Sequence, residues 1–265
     1  MSSRFSWMVA LLACLLCSIK THAEVVFGID ALSGDVAVFD LVTGAPTVVS
    51  NIGDGISIGG ATHDPLTDTT YFIGNGDLMT LDRFTGAVGV ATNLDRSDIV
   101  GLAFNADTGQ LWGASSRDLF LINQSTGQTD LIGGFGLIAT DLAYDRVTST
   151  LFGLSNIENS LFRVDTSTGA ATLADNSIGF QGPTALAIDV FGEAIATEFG
   201  GSLQYTQLLD VDLQSGEGTA IGGQEPSTLY RALFNATAIP EPTSAVLILA
   251  IAGVAFVRRG RRPSV

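Results

Sequence analysis

The sequence predicts an all-β chain folded as a five-bladed β-propeller of four-stranded repeats, each about 42 residues long. Three observations lead there. Three short motifs recur together on one period, no stretch of the body carries capped helical periodicity, and the body's first and last strands complete one another.

The period is set by a turn motif: an apolar residue, Asp or Asn, two residues, Thr or Ser, then Gly. It occurs at Phe39-Asp40 with Thr43-Gly44, Leu81-Asp82 with Thr85-Gly86, Ile122-Asn123 with Thr126-Gly127, Val164-Asp165 with Thr168-Gly169, and Val211-Asp212 with Ser215-Gly216. The glycines are 42, 41, 42 and 47 residues apart, the spacing of propeller blades. Asp or Asn can bond the backbone that follows it and Gly supplies a positive φ, so the chain reverses there. A second motif closes a short apolar strand with an acid or its amide: Ala61 to Asp64, Leu102 to Asn105, Leu142 to Asp145, Leu186 to Asp189 and Ala232 to Asn235. A third ends in glycine, as in Phe27-Gly28, Ile73-Gly74, Trp112-Gly113 and Phe152-Gly153, with a degraded copy at Ala196-Thr197.

Each repeat then reads as four strands rich in β-branched and aromatic residues. In the fourth unit and its neighbour these are Leu151–Ser155, Ser160–Asp165, Ala171–Ala174 and Thr184–Asp189. One such unit cannot bury both of its faces, and radial stacking solves this. The body opens on a second strand, Val25–Asp30, and finishes on an unpartnered first strand, Leu229–Asn235, so the two ends together make a fifth blade. The competing architectures are a pair of β-sandwiches and an open solenoid. An insertion around Phe199 to Gln207 makes the blade count least secure in the last repeat.

The reactive inventory of the body is thin. It has no lysine and no cysteine, and its one histidine, His63, occupies a slot that elsewhere holds Phe104, Tyr144, Ile188 and Phe234. Triads built on Ser-His-Asp or Cys-His, Schiff-base chemistry and zinc sites therefore lack parts. Carboxylates remain, and a glycosidase needs two of them. At the slot opening the first strand, Gly60, Gly101, Asp141, Ala185 and Arg231 align, so Asp141 and Arg231 are the charged exceptions and the candidate ligand-binding residues. A structural ion pair or a solvated channel is the bland alternative for them. Asp35, Asp77, Asp118 and Asn159 on equivalent connections, with Asp54, Asp95, Asp98 and Glu225 on the links, offer hard oxygens suited to Ca²⁺. No Asp-x-Asp-x-Asp-Gly loop is present and turn chemistry explains the same residues, so no cofactor is assigned and no calcium site is specified. Trp112 reads as core, and Tyr205 and Tyr230 are the only aromatics placed for an exposed sugar platform.

Both ends carry transport signals. Arg4, the apolar run Trp7 to Cys17 and the small-residue site Thr21-His22-Ala23 have the order of a secretory signal peptide, residues 1–23, cleaved after Ala23. Lipid attachment at Cys14 is the less favoured alternative. Both cysteines, Cys14 and Cys17, leave with this segment. Residues 24–238 form the propeller, and 239–265 a tail: Pro240-Glu241-Pro242, an apolar stretch from Ala245 to Val257, then Arg258, Arg259, Arg261 and Arg262. Such an arginine cluster resists crossing a bilayer. A helix from Ala245 to Val257 would span about 20 Å against a hydrocarbon core of about 30 Å, which suits a transient transmembrane anchor.

Triplet, apolar segment and arginines, in that order at the C-terminus, resemble the PEP-CTERM sorting tail of Gram-negative bacteria. The resemblance covers about the last tenth of the chain. It implies export, reading of Pro240, Glu241 and Pro242 by an exosortase-like membrane protease, and residence in the cell envelope, at the cell surface or in the extracellular matrix, often beside extracellular polysaccharide. From Glu24 to Ala238 there are 26 acidic side chains against six arginines, a balance that repels nucleic acid and keeps an exported body soluble. The sequence thus points to an exported, surface-associated, non-enzymatic propeller acting as an interaction or matrix protein of a polysaccharide layer. The alternatives are a carbohydrate-active enzyme using carboxylates only and a sugar- or calcium-binding lectin-like module.

Overall fold

The turn motif folds the same way all five times in the computed structural model, which describes residues 24–200 and 205–237. Asp40 Oδ1 accepts the backbone N–H groups of Val42 (2.8 Å) and Thr43 (3.1 Å), and the Gly44 N–H donates to the Asp40 carbonyl (2.7 Å). Asp82, Asn123, Asp165 and Asp212 repeat the pattern. These backbone donors hold the carboxyls of Asp40, Asp82 and Asp212 below the usual carboxylate range. The five glycines have φ between +74° and +83°. Each turn also docks on the preceding blade. A Cβ on Gly44 would strike the Ile221 carbonyl, one on Gly86 that of Asn51, and one on Gly127 that of Asn93. Glycine is required there by conformation and by contact together.

Among the described residues, twenty strands form five four-stranded sheets. Blade 2 is β4 (Ile58–Asp64), β5 (Thr69–Gly74), β6 (Asp77–Leu81) and β7 (Val88–Thr92). Blade 3 is β8 (Gly101–Asn105), β9 (Gln110–Ala114), β10 (Asp118–Ile122) and β11 (Thr129–Gly134). Blade 4 is β12 (Asp141–Asp145), β13 (Thr150–Ser155), β14 (Ser160–Val164) and β15 (Ala171–Leu173). Blade 5 is β16 (Pro183–Ile188), β17 (Ala194–Phe199), β18 (Tyr205–Val211) and β19 (Gly218–Pro226). Blade 1 joins both ends of the body: β20 (Tyr230–Thr237) lies beside β1 (Glu24–Asp30), followed by β2 (Asp35–Phe39) and β3 (Pro46–Asn51). The five-bladed ring expected from the repeats is therefore present, with strand ends shifted by a residue or so. The segments read as signal peptide (including Ala23), membrane-spanning helix and sorting tail lie outside the described residues. No helix occurs among the described ones.

Burial falls from the hub outward: every residue of β8 is buried, while the outermost strand β7 is almost wholly exposed. The core is correspondingly split into five clusters, each spanning two adjacent blades. Phe27 and Ile29 of blade 1 meet Phe72 of blade 2, and Leu142 and Phe162 of blade 4 meet Trp112 of blade 3. Each large side chain so buried contributes about 1.5–3 kcal/mol. The outer edges are blunted. Pairing onto β3, β7, β11 and β19 slips at a bulge, and β15 has only three residues. Bulged or short edges resist pairing with a second molecule.

Bonds within blade 1 and across its seam with blade 5 hold the closing strand. Within blade 1, the Leu229 N–H at the start of β20 donates to Asp30 Oδ1 at the end of β1 (3.0 Å), and the Ala31 N–H to the Leu229 carbonyl (2.8 Å). Thr197 Oγ1 donates to the Tyr230 carbonyl (3.0 Å), and Thr206 Oγ1 accepts from the Tyr230 N–H (3.3 Å). Thr197 stands where other blades have glycine, so the degraded motif copy supplies a hydroxyl that grips the closing strand.

Two substitutions separate the roles of glycine. Gly109 has φ +72° with nothing near a would-be Cβ, whereas Gly127 has φ +75° with the Asn93 carbonyl in the way. Gly109→Ala should cost about 1–2 kcal/mol, the left-handed penalty alone. Gly127→Ala should cost a further ~1–3 kcal/mol from overpacking, read as the difference in urea unfolding free energy. Thr197→Val should lose about 1–2 kcal/mol in the same measurement, since a buried carbonyl forfeits its close donor.

Candidate functional site at the central channel

Inner strands leave one edge without a sheet neighbour, and in a closed ring those edges face each other. Here β4, β8, β12, β16 and β20 surround a cavity of about 70 Å³, lined by residues such as Thr62, His63, Tyr144, Leu186 and Asn235. It has room for a few water molecules, against roughly 300–1,000 Å³ for common ligand pockets. Part of the edge is satisfied internally, as where the Phe104 N–H donates to Thr62 Oγ1 of the preceding blade (3.1 Å).

Asp141 opens β12 and is fully buried. Its Oδ1 accepts the Leu142 N–H (2.9 Å) and its Oδ2 accepts the Leu186 N–H of blade 5 (2.9 Å), while the Leu102 N–H of blade 3 is turned toward the same carboxyl. Burial pushes this carboxyl well above the usual range, while the three N–H groups and the positive charge of Arg231 pull the other way. Arg231 is exposed and forms no salt bridge among the described residues. The two charged exceptions thus share one level of the channel without pairing, and the acid is turned into the protein.

His63 sits at the far end of β4. Its side chain is 3% exposed; Nδ1 lies 3.1 Å from Thr70 Oγ1 and Nε2 lies 3.5 Å from Asp68 Oδ1. Asp68, at φ +53°, also takes the Arg83 guanidinium at 3.0 Å. That guanidinium lies over the Phe84 ring at 4.7 Å. Burial first, and then the charge of Arg83, lower the His63 pKa to about 4, so the ring is neutral at neutral pH.

Several of the residues considered for calcium are tied up in hydrogen bonds to other segments of the protein. Asp35 accepts from Asn51 Nδ2 (2.7 Å) and Ser33 Oγ (2.9 Å), Asp77 from Asn93 Nδ2 (3.1 Å), and Asn159 Oδ1 from the Gly182 N–H (3.1 Å). Asp95 accepts from Thr129 Oγ1 (2.7 Å), and Asp98 forms a two-pronged pair with Arg96. Among the described residues no group of three or more His, Cys, Asp or Glu is gathered as a metal site would need. Trp112 is core, as expected. Tyr230 is a correction: it is 2% exposed, packed edge-on against Phe39 at 4.8 Å, because the closing strand buries it in the blade 5–blade 1 seam. Tyr205 is half-buried.

Two open grooves occupy the same place on blades 3 and 5. One, about 420 Å³, is lined by Gln110, Gln124 and Asp130; the other, about 500 Å³, by Glu193, Asp210, Asp212 and Glu217. Sequence reasoning did not find them, because the spacing that aligns their residues belongs to turns.

No family model matches the chain, and no curated protein does. Among solved structures it is similar to a chain in a crystal structure of a nidogen/laminin complex, with TM-score 0.55 and 11% identity over 82% of this chain and 100% of that one. A protein of unknown function from Bacteroides thetaiotaomicron matches with TM-score 0.53 and 15% identity. That alignment covers 77% of this chain and 65% of the other, so this chain spans just under two thirds of that relative. At these identities the likeness shows the propeller fold alone.

The His63 environment sets a pH window. Its folded pKa is depressed from 6.5 to about 4, so the stability of the neutral ring is complete above pH 6.5 and is lost as pH falls from there toward 4. His63→Phe, the residue of two sister blades, should flatten that part of the curve. Thermal unfolding from pH 7 to 4.5 should show wild type losing several degrees more than the variant.

Proposed function

We propose that the chain is an exported, surface-associated propeller of a Gram-negative bacterium, acting without catalysis as an interaction or matrix protein of an extracellular polysaccharide layer. Export and sorting rest on the order of signals at the two ends, with Pro240-Glu241-Pro242 and the arginines Arg258, Arg259, Arg261 and Arg262 as the residues an exosortase-like protease would read. Membrane contact through the tail is transient in this reading, and the acidic body does not bind nucleic acid.

The observation that carries the non-enzymatic half is how the reactive groups are spent. A glycosidase needs a carboxyl lifted in pKa and aimed at substrate. Asp141 is lifted by burial, but its oxygens lie on backbone N–H groups. His63 is buried and neutral with Nδ1 on Thr70 Oγ1, while Arg96 and Arg146 are paired with Asp98 and Asp107. The acidic groove on blade 5 keeps the carboxylate-enzyme and lectin readings in play, although the Asp212 carboxyl is held low by its own turn, the reverse of a proton donor.

Mass spectrometry of the protein from its host surface tests the export half: the chain should begin at Glu24 and lack the apolar tail. Recovery of uncut Met1–Val265 from the cytoplasm would refute it. Incubation with soluble host polysaccharide should release no oligosaccharide. Release that disappears in Glu193→Gln or Asp210→Asn would replace the scaffold reading with the enzyme.

A further inference from the structure

The slot that opens each inner strand holds Gly60, Gly101, Asp141, Ala185 and Arg231, and the five blades use it differently. Blades 4 and 5 bond a single carboxyl group through the next residue's N–H, from Leu142 and Leu186, and blade 3 turns the Leu102 N–H toward it. Blade 2 makes room, since a Cβ on Gly60 would collide with Asp141 Oδ1. Gly101 does the same, its would-be Cβ falling 2.8 Å from the Asp141 Cα. Blade 1 brings the positive charge of Arg231.

We infer that the hub of this propeller is a backbone-amide site for a carboxylate, which the chain fills with its own Asp141 and so ties blade 4 to blade 5 at one point, with Gly60 of blade 2 and Gly101 of blade 3 packed against it. The chemistry is that of a nest: N–H groups at a free strand edge, shut away from bulk water and from any further strand, need an acceptor with several lone pairs. A carboxyl group presents two oxygens with about four such positions, so it can take N–H groups from different blades at once. A side-chain amide of the same shape offers only one oxygen and presents an NH₂ to donors. The inference stands apart from the export proposal and survives its failure.

The test removes the side chain and returns its chemistry. Asp141→Gly installs the residue that blades 2 and 3 use at this slot, and acetate matches the deleted CH₂–COO⁻. The variant should unfold roughly 10 °C below wild type, as loss of the two bonds from the Leu142 and Leu186 N–H groups implies. Sodium acetate at tens of millimolar should restore at least half of that loss, with sodium chloride at equal ionic strength and neutral acetamide restoring little. Wild type should not respond to acetate. Should Asp141→Gly fail to fold in chloride, the folded yield on refolding in acetate against acetamide gives the same reading. In wild type the Leu142 and Leu186 amides should be among the slowest to exchange with deuterium, and Asp141→Asn should speed those two selectively. Equal rescue by acetamide or chloride, a variant as stable as wild type, or fast exchange at those amides would each overturn the assignment.

Discussion

Each blade has two apolar faces and cannot cover either one alone. Everything else follows from that constraint. The five core clusters lie between blades, so every blade is half of two cores and none is complete without both neighbours. An open array would leave two faces bare at its ends, and with each large apolar side chain contributing about 1.5–3 kcal/mol, two bare faces would consume the margin by which a domain is stable. Closure is thus a condition of folding. The polar devices cluster accordingly where closure is hardest: at the seam of Thr197, Thr206 and Asp30 with the closing strand, and at the hub around Asp141.

The turns perform two tasks with one motif. The Asp or Asn oxygen satisfies two N–H groups of the reversal, and the glycine beyond it lets the turn lie against the carbonyls of the previous blade. A larger residue there would strain the local backbone and part the blades together. This coupling explains why the motif keeps its residues when the rest of the repeat diverges: strand positions tolerate any apolar side chain of suitable volume, whereas a left-handed glycine in backbone contact has no substitute.

That difference also decided what could be read from the sequence. Turn chemistry leaves Asp and Gly at fixed positions, so the period, the blade count and the pairing of Val25–Asp30 with Leu229–Asn235 were all visible. Asp141 and Arg231 stood out as exceptions, but the role of Asp141 was hidden, because its partners are backbone N–H groups that have no residue signature. Gly60 and Gly101 in the same slot were the trace it left. Thr197 was visible as a broken motif, and its reason needed the closing strand in place. Tyr230 misled because a tyrosine at a strand start reads equally as rim or core, and only the fold of blade 5 against blade 1 buries its ring.

Since β1 and β20 are neighbours in one sheet, the backbone enters and leaves the ring in a single blade. Any tension applied through a tether at one end, against resistance at the other, would therefore be borne by that one strand pair while the remaining four blades carried no load. The Asp30 clasp on Leu229 reinforces that strand pair, and the hydroxyl grips on Tyr230 anchor β20 to blade 5 beside it.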